Sequence, residues 1–289
     1  MRNMRLAVVS IVVLAAVRPA AQSLSPKWEE LTAEDFVKAL QASNGTCLLP
    51  FGILEKHGPA GVLGTDLINV RFATLRATTD EYAVVFPEYF VGQIFEARHQ
   101  PGTIAYSSRL QLEMLHETVA EMARNGCQKI LIVNGHGGNT QLIQYFAQTQ
   151  LDAPKDYIVY ALSAFSAPPG TPGAAPSRQG VDGHAGEGEI ANLMAARPGL
   201  AHPERSSTES GADLNRLRLP DGVFTAISWY ARFPNHYGGD SAGATAARGE
   251  ASVAATAARI ANAIRAVKTD EIGPRLQKEF FERAVKPVR

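Results

Sequence analysis

Short apolar runs alternate with longer amphipathic stretches along most of the chain. Residues 46–51 read T-C-L-L-P-F, and similar runs occur at 83–87 (A-V-V-F-P), 129–133 (K-I-L-I-V) and 157–163 (Y-I-V-Y-A-L-S). Runs of this length without polar alternation predict strands buried on both faces, as in a parallel sheet. The intervening segments have helical spacing. Residues 66–79 form one such segment, and residues 139–150 another. A helix capped by Ser107 or Ser108 carries Leu112, Leu115, Val119 and Met122 on one face and stops at Gly126. A short helix is expected within 26–41, where Thr32 and Asp35 have capping-box spacing. Another starts at Gly186, and a final alanine-rich helix presents Val253, Ile260, Ile264 and Val267 on one side. Strand, loop and helix in repeated alternation predict an α/β fold, a mainly parallel sheet covered on both faces. Its functional loops then belong at the carboxyl ends of the strands.

The breaks in the pattern carry their own information. Residues 88–103 have no clean period and read as a long ordered loop, a kind of segment more often functional than decorative. Residues 168–180, P-P-G-T-P-G-A-A-P-S-R-Q-G, are too rich in proline and glycine for regular structure and read as a flexible loop beside the site. Residues 203–221 are polar and weakly patterned, and no internal repeat, phosphate-binding glycine loop or zinc-finger spacing is found. At the start, Arg2 and Arg5 precede an apolar stretch at 6–17, short for a spanning helix but right for a signal peptide, with Ala20 and Ala21 at the cleavage position. Residues 1–21 are therefore expected to be a signal peptide and 22–289 a single domain, exported to the periplasm or secreted.

Composition narrows the partners. The 289 residues are 45% hydrophobic and 19% charged, enough for a sizeable core. Basic and acidic residues balance at 28 each, with no basic run, which argues against a nucleic-acid or anionic-membrane surface. A small uncharged or mixed-charge substrate fits better, and no integral membrane domain is expected. Cys47 and Cys127 stand at the entrances to two core strands and lack C-x-x-C spacing. They are expected to be unpaired, buried thiols and not metal ligands.

The candidate chemistry lies in three clusters. Residues 49–66, L-P-F-G-I-L-E-K-H-G-P-A-G-V-L-G-T-D, place Glu55, His57 and Asp66 just after the first strand. N-G-H-G-G-N places His136 just after the third, and G-H-A-G-E-G-E places His184, Glu187 and Glu189 at the mouth of a helix. Imidazoles and carboxylates without thiolates favour zinc, manganese or iron in an open catalytic site. One carboxylate can bridge two such ions, and a water shared between them becomes a nucleophile at neutral pH.

These motifs, with R-H-Q-P-G-T around His99 and a fainter echo at Y-G-G-D-S-A-G-A-T-A-A-R-G, resemble the creatininase family of creatinine amidohydrolases. The resemblance implies a three-layer α/β/α fold, a binuclear metal centre with zinc first and manganese or iron as alternatives, and a homo-oligomer, commonly a hexamer. It implies that Glu55 and His136 hold one metal, His57 the other, and that Asp66 bridges them. In the enzyme that names the family, N-G-H continues as Tyr-Glu-Asn and that glutamate is a ligand; here its place is taken by Gly138. Glu187 is the expected replacement. His184 matches a histidine placed near the substrate, where it can donate a proton or stabilise an oxyanion, and Glu189 is expected to orient a ligand. His99 is expected to line the pocket or touch a neighbouring subunit, while His236 receives no catalytic role. The implied reaction is hydrolysis of a cyclic amide, a formamide or a small peptide-like C–N bond by a hydroxide held between two metals. Two alternatives stand beside it. One is a mononuclear hydrolase with Glu187 as general base, and the other a non-catalytic metal-binding periplasmic protein.

Overall fold

The computed structural model describes residues 24–165 and 183–288; the expected leader and the proline- and glycine-rich stretch 168–180 lie outside the described residues. Four parallel strands, β1 (Thr46–Phe51), β2 (Val84–Val85), β3 (Lys129–Asn134) and β4 (Ile158–Ser163), form one sheet in the order β2-β1-β3-β4. Thr46 stands opposite Lys129, which stands opposite Ile158, and the three longer strands end level at Phe51, Asn134 and Ser163. Alternate residues point to opposite layers. Cys47, Leu49, Phe51, Ile130 and Ile132 pack under α1 (Ala33–Ala42), α3 (Ser108–Arg124) and α4 (Thr140–Thr149), against Ala39, Leu115, Val119, Met122 and Phe146. Leu48, Val85, Leu131 and Val133 face α2 (Thr65–Ala77) and α7 (Ala246–Thr269), against Val70, Ala73, Val253, Ile260 and Ile264. The result is the three-layer α/β/α arrangement that the apolar pattern implies.

Local chemistry sets the helix starts. Thr32 Oγ1 accepts the Asp35 backbone N–H at 3.2 Å, and Ser107 Oγ accepts that of Leu110 at 3.3 Å, so both side chains occupy donors that a helix start leaves unpaired. β2 is shorter than its apolar run because the Val85 N–H bonds to the Pro26 carbonyl at 2.7 Å, so an irregular segment covers its outer edge. α8 (Ile272–Ala284) had no counterpart in the apolar pattern. It fully buries none of its residues and lies along β4, where Gln277 Nε2 donates to the Tyr157 carbonyl at 2.9 Å. Among the described residues no helix is long and apolar enough to cross a membrane.

The cysteines overturn one expectation. Cys47 and Cys127 are joined in a disulfide, with their Cα atoms 5.7 Å apart. Both are wholly buried in the α1–α3 layer, as their apolar neighbours indicated. Burial does not exclude pairing here, because the turn at Gly126, with φ +104°, brings Cys127 back beside the start of β1. An even cysteine count in a chain expected to be exported was the available signal.

Candidate metal centre

The end of β1 is built for a close approach. A Cβ added to Gly52 would lie 2.6 Å from the Leu67 backbone nitrogen, so glycine lets the first turn of α2, carrying Asp66, press against the loop that carries Glu55 and His57. Beside it, β3 ends at Asn134, whose Oδ1 accepts the His136 backbone N–H at 3.1 Å and aims that residue across the strand ends. Glu55, His57, Asp66 and His136 thus meet at the carboxyl end of the sheet, none more than 8% exposed.

Backbone carbonyls fix which ring nitrogen faces the cluster. His57 Nδ1 lies 3.2 Å from the Glu55 carbonyl oxygen, a contact that requires Nδ1–H and leaves Nε2 bare. His136 Nε2 lies 3.1 Å from the Gln93 carbonyl, leaving Nδ1 bare. The bare nitrogens face carboxylates. His57 Nε2 is 3.2 Å from Asp66 Oδ1 and 3.9 Å from Glu55 Oε1, and His136 Nδ1 is 3.0 Å from Asp66 Oδ2 and 2.9 Å from Glu55 Oε1. Two acceptors cannot sit this close unless a proton or a cation lies between them. Glu55 Oε1 and Asp66 Oδ2 are indeed buried with no aligned hydrogen-bond donor. A divalent cation satisfies both at once, so the residues present fit a metal.

Without a cation, protons do this work. Burial alone would lower the pKa of His57, but the charge and hydrogen bond of Asp66, with Glu55 behind it, raise it to about 10. Burial opposes the charge on His136 in the same way and is overcome by Glu55 and Asp66, which hold it well above the ordinary imidazole range. Glu55 and Asp66 are in turn held low. Burial works against both, the charge of His136 dominates at Glu55, and that of His57 dominates at Asp66.

The third motif arrives from α5 (Glu187–Ala196). His184 Nε2 donates to the Lys56 carbonyl at 2.8 Å, so its bare Nδ1 turns toward Glu189 Oε2, 3.9 Å away. Burial, helped by the neighbouring His57 and His236, lowers the pKa of His184 to about 4 and keeps it neutral. Glu189 Oε2 also accepts the N–H of Ala185 at 2.6 Å, and Ala185 holds a left-handed φ of +56° to deliver it. Burial, with repulsion from Asp66, pushes Glu189 up to about 7.

Among the described residues, three groups of side chains bring candidate ligand atoms within 4.8 Å of one another: Glu55, His57 and Asp66; His57, His184 and Glu189; and Glu55, His184 and His236. Glu187 is in none of them. Its Oε1 is 2.5 Å from Arg248 Nη1 on α7, so the expected ligand or base belongs to the helix packing instead. Gly138 has no room for a ligand either, since a Cβ there would lie 2.4 Å from His136 Nε2. His236 enters unexpectedly, its Nε2 2.5 Å from Glu55 Oε2; the fainter C-terminal motif was the only sequence signal for it. His99 lines the same cleft, as expected, and its Nε2 donates to the Pro234 carbonyl at 2.6 Å. The cleft has a volume of about 1760 Å³ and is lined by Phe95, Trp229 and Tyr230, by Arg248 and Arg259, and by His136, His184 and Glu189.

A family model described as creatinine amidohydrolase matches residues 29–264. The chain is 25% identical over 119 residues to creatinine amidohydrolase of Pseudomonas putida, a match that covers 39% of this chain and spans 46% of that enzyme's length. It is 29% identical over 211 residues to the mycofactocin precursor peptide peptidase of Mycolicibacterium smegmatis, covering 70% of this chain and 77% of that one. Among solved structures, creatininase superposes with a TM-score of 0.71 at 20% identity, over 86% of this chain and 100% of that one. A manganese creatininase gives 0.70 at 21% identity, over 85% and 100%. At these identities the solved structures establish the fold. The matched region, however, runs from just before α1 into α7 and contains every residue of the cluster, and on that match the chain belongs to the creatininase family of hydrolases.

Proposed function

We propose that the chain is an exported amidohydrolase that works with two divalent cations. The observation that carries this reading is the division of Asp66. Its Oδ1 faces the bare nitrogen of His57 and its Oδ2 the bare nitrogen of His136, so one carboxylate serves two nitrogen sites. Glu55 and His136 would hold the first cation, His57 and Glu189 the second, and Asp66 would join them. Zinc suits these nitrogen and oxygen donors, and manganese or iron would also bind. When bound, such a pair polarises an amide carbonyl and makes water nucleophilic at neutral pH.

The rest of the reaction falls to the side chains. His184, neutral and with Nδ1 bare toward the cleft, is placed to take up a proton and return it to the leaving nitrogen. Phe95, Trp229 and Tyr230, which line the cleft, would orient the substrate and exclude water. A cleft of about 1760 Å³ exceeds the roughly 300–1000 Å³ of an ordinary small-molecule pocket. That favours a formamide or peptide-like amide with a sizeable apolar part over a small lactam. The Cys47–Cys127 disulfide supports export, since such bonds persist in oxidising compartments. A homo-oligomer is part of the proposal, resting on the family likeness.

Metal content and activity test the assignment together. Wild type and Glu187→Gln are expected to hold two ions per chain and to hydrolyse members of a panel of lactams, formamides and small peptides with zinc, manganese or iron added. Glu189→Gln is expected to hold one ion and to lose most activity. Two ions in Glu189→Gln and one in Glu187→Gln would return the second site to Glu187. A fully loaded wild type inert on the whole panel would favour the binding-protein alternative.

A further inference from the structure

We propose that His236 is a positioning residue which confines Glu55 to a single oxygen toward the metal cluster, and that Trp229 sets the imidazole tautomer required for this. The relay runs through three groups. Trp229 Nε1–H donates to His236 Nδ1 at 3.0 Å, and His236 Nε2 lies 2.5 Å from Glu55 Oε2. An indole nitrogen can only donate. His236 Nδ1 must therefore accept, Nε2 carries the proton, and that proton is given to Glu55 Oε2. His236 in this tautomer has no lone pair for a cation, although its position beside Glu55 and His184 resembles a ligand site. Oε1 is the oxygen left over, buried, without an aligned donor, and 2.9 Å from His136 Nδ1.

The surrounding chain holds this arrangement in place. His236 is 2% exposed and adopts a left-handed φ of +54°, a conformation that a non-glycine residue keeps only when its surroundings enforce it. On one side, Gly238 pairs with His184 through N–H to carbonyl bonds of 3.0 and 3.1 Å in the two directions. Between them, Tyr237 is anchored by its hydroxyl, 2.9 Å from Ser206 Oγ, and accepts the Ser241 N–H at 3.0 Å. The His184 ring, 4.4 Å away between centroids, closes the other side. With Oε2 engaged by the His236 N–H, Glu55 would offer a cation chiefly Oε1, leaving room for water or substrate. Freed of His236, the carboxylate could turn both oxygens inward and fill that room.

This consequence rests on the two-cation reading, but the tautomer does not, and the experiment separates them. In ion-free wild type, nitrogen NMR of labelled histidine is expected to show His236 with its proton on Nε2, and Trp229→Phe is expected to let the Nδ1–H form appear. In loaded protein, His236→Leu is expected to change metal affinity, measured by chelator competition, by about 10- to 100-fold. It is also expected to alter the visible spectrum of the cobalt-substituted protein and to lower kcat with little change in KM. His236→Gln, which keeps an N–H donor, is expected to recover most of each loss. Both variants carry the same left-handed backbone strain, so their difference reports the donor. An Nδ1–H tautomer in wild type, a cobalt spectrum in His236→Leu identical to wild type, or a glutamine variant no better than leucine overturns the proposal. A wild type that shows the Nε2–H tautomer but binds no divalent cation upholds the relay and sinks the two-cation reading.

Discussion

At their amino ends β1 and β3 are joined by the Cys47–Cys127 disulfide, buried among leucine, valine and methionine. At their carboxyl ends the same two strands feed loops that crowd Glu55, His57, Asp66 and His136 into a pocket without aligned donors for two carboxylate oxygens. The first end is apolar and covalently closed, and it needs no ion to hold it together. The second is polar and held by charge, and it reaches its lowest energy only with a cation or a proton between its groups. The two ends divide the work: the pairing of β1 with β3 keeps His136 beside Glu55 and Asp66, and the close approach at Gly52 keeps those two carboxylates near each other.

The largest effect is expected from breaking the polar end alone. Asp66→Asn removes the charge that faces both bare nitrogens, and bound metal should fall from two ions to one or none. Activity should fall by about 10³-fold or more, as losing several kcal/mol of charge stabilisation implies. Retention of two ions with full activity would show that Asp66 does not join two sites.

Breaking the apolar end tests whether the two are independent. Closing an 80-residue separation, the disulfide contributes about 4 to 5 kcal/mol on the chain-entropy account. Cys47→Ala with Cys127→Ala should therefore lower Tm by about 10 °C while the refolded variant still takes up its full complement of metal at low temperature. Loss of metal along with stability would mean that the covalent end positions the polar end directly.

The smallest expected effect sharpens the role of protons. In ion-free protein His57 titrates at about 10 against an ordinary value of 6.5. A raised pKa contributes stability that is complete below about pH 6.5 and is lost as pH rises to about 10, whereas the depressed Glu55 and Asp66 contribute above the carboxylate range and lose their share in acid. Chelated protein should thus lose stability between about pH 6.5 and 10. Metal-loaded protein should show a flatter profile, because ions occupy the nitrogens. Identical profiles for the two forms would rule out protons as the stand-in for metal.

Much of the fold was legible because β1, β2 and β3 are buried on both faces and most helices on one, and burial leaves a pattern in the sequence. α8 escaped since it lies along a sheet edge and fully buries none of its residues, so little selects for a pattern. Glu187 and Glu189 show a finer limit. They are two positions apart on α5 and so point to nearly opposite sides of the helix. Glu187 shares a side with Ile190 and Ala191, which pack against Ala60 and Ala244, whereas Glu189 shares one with Asn192, which lines the cleft. That helical register was readable, but which side faced the cluster of histidines and carboxylates depended on where α7 lay. His236 was further from reach, because its meaning comes from Glu55, 181 positions earlier.

By itself, then, the sequence determined the parallel sheet and the gathering of Glu55, His57, Asp66 and His136 at its carboxyl end, since the segments that follow adjacent strands bring them there. Only the tertiary structure decided the disulfide, the turning of Glu187 to Arg248 and of Glu189 to His57 and His184, and the Trp229–His236–Glu55 contacts. Each of these joins groups far apart in the chain or opposed around a helix, and local patterns of polarity carry no information about which distant surfaces will meet.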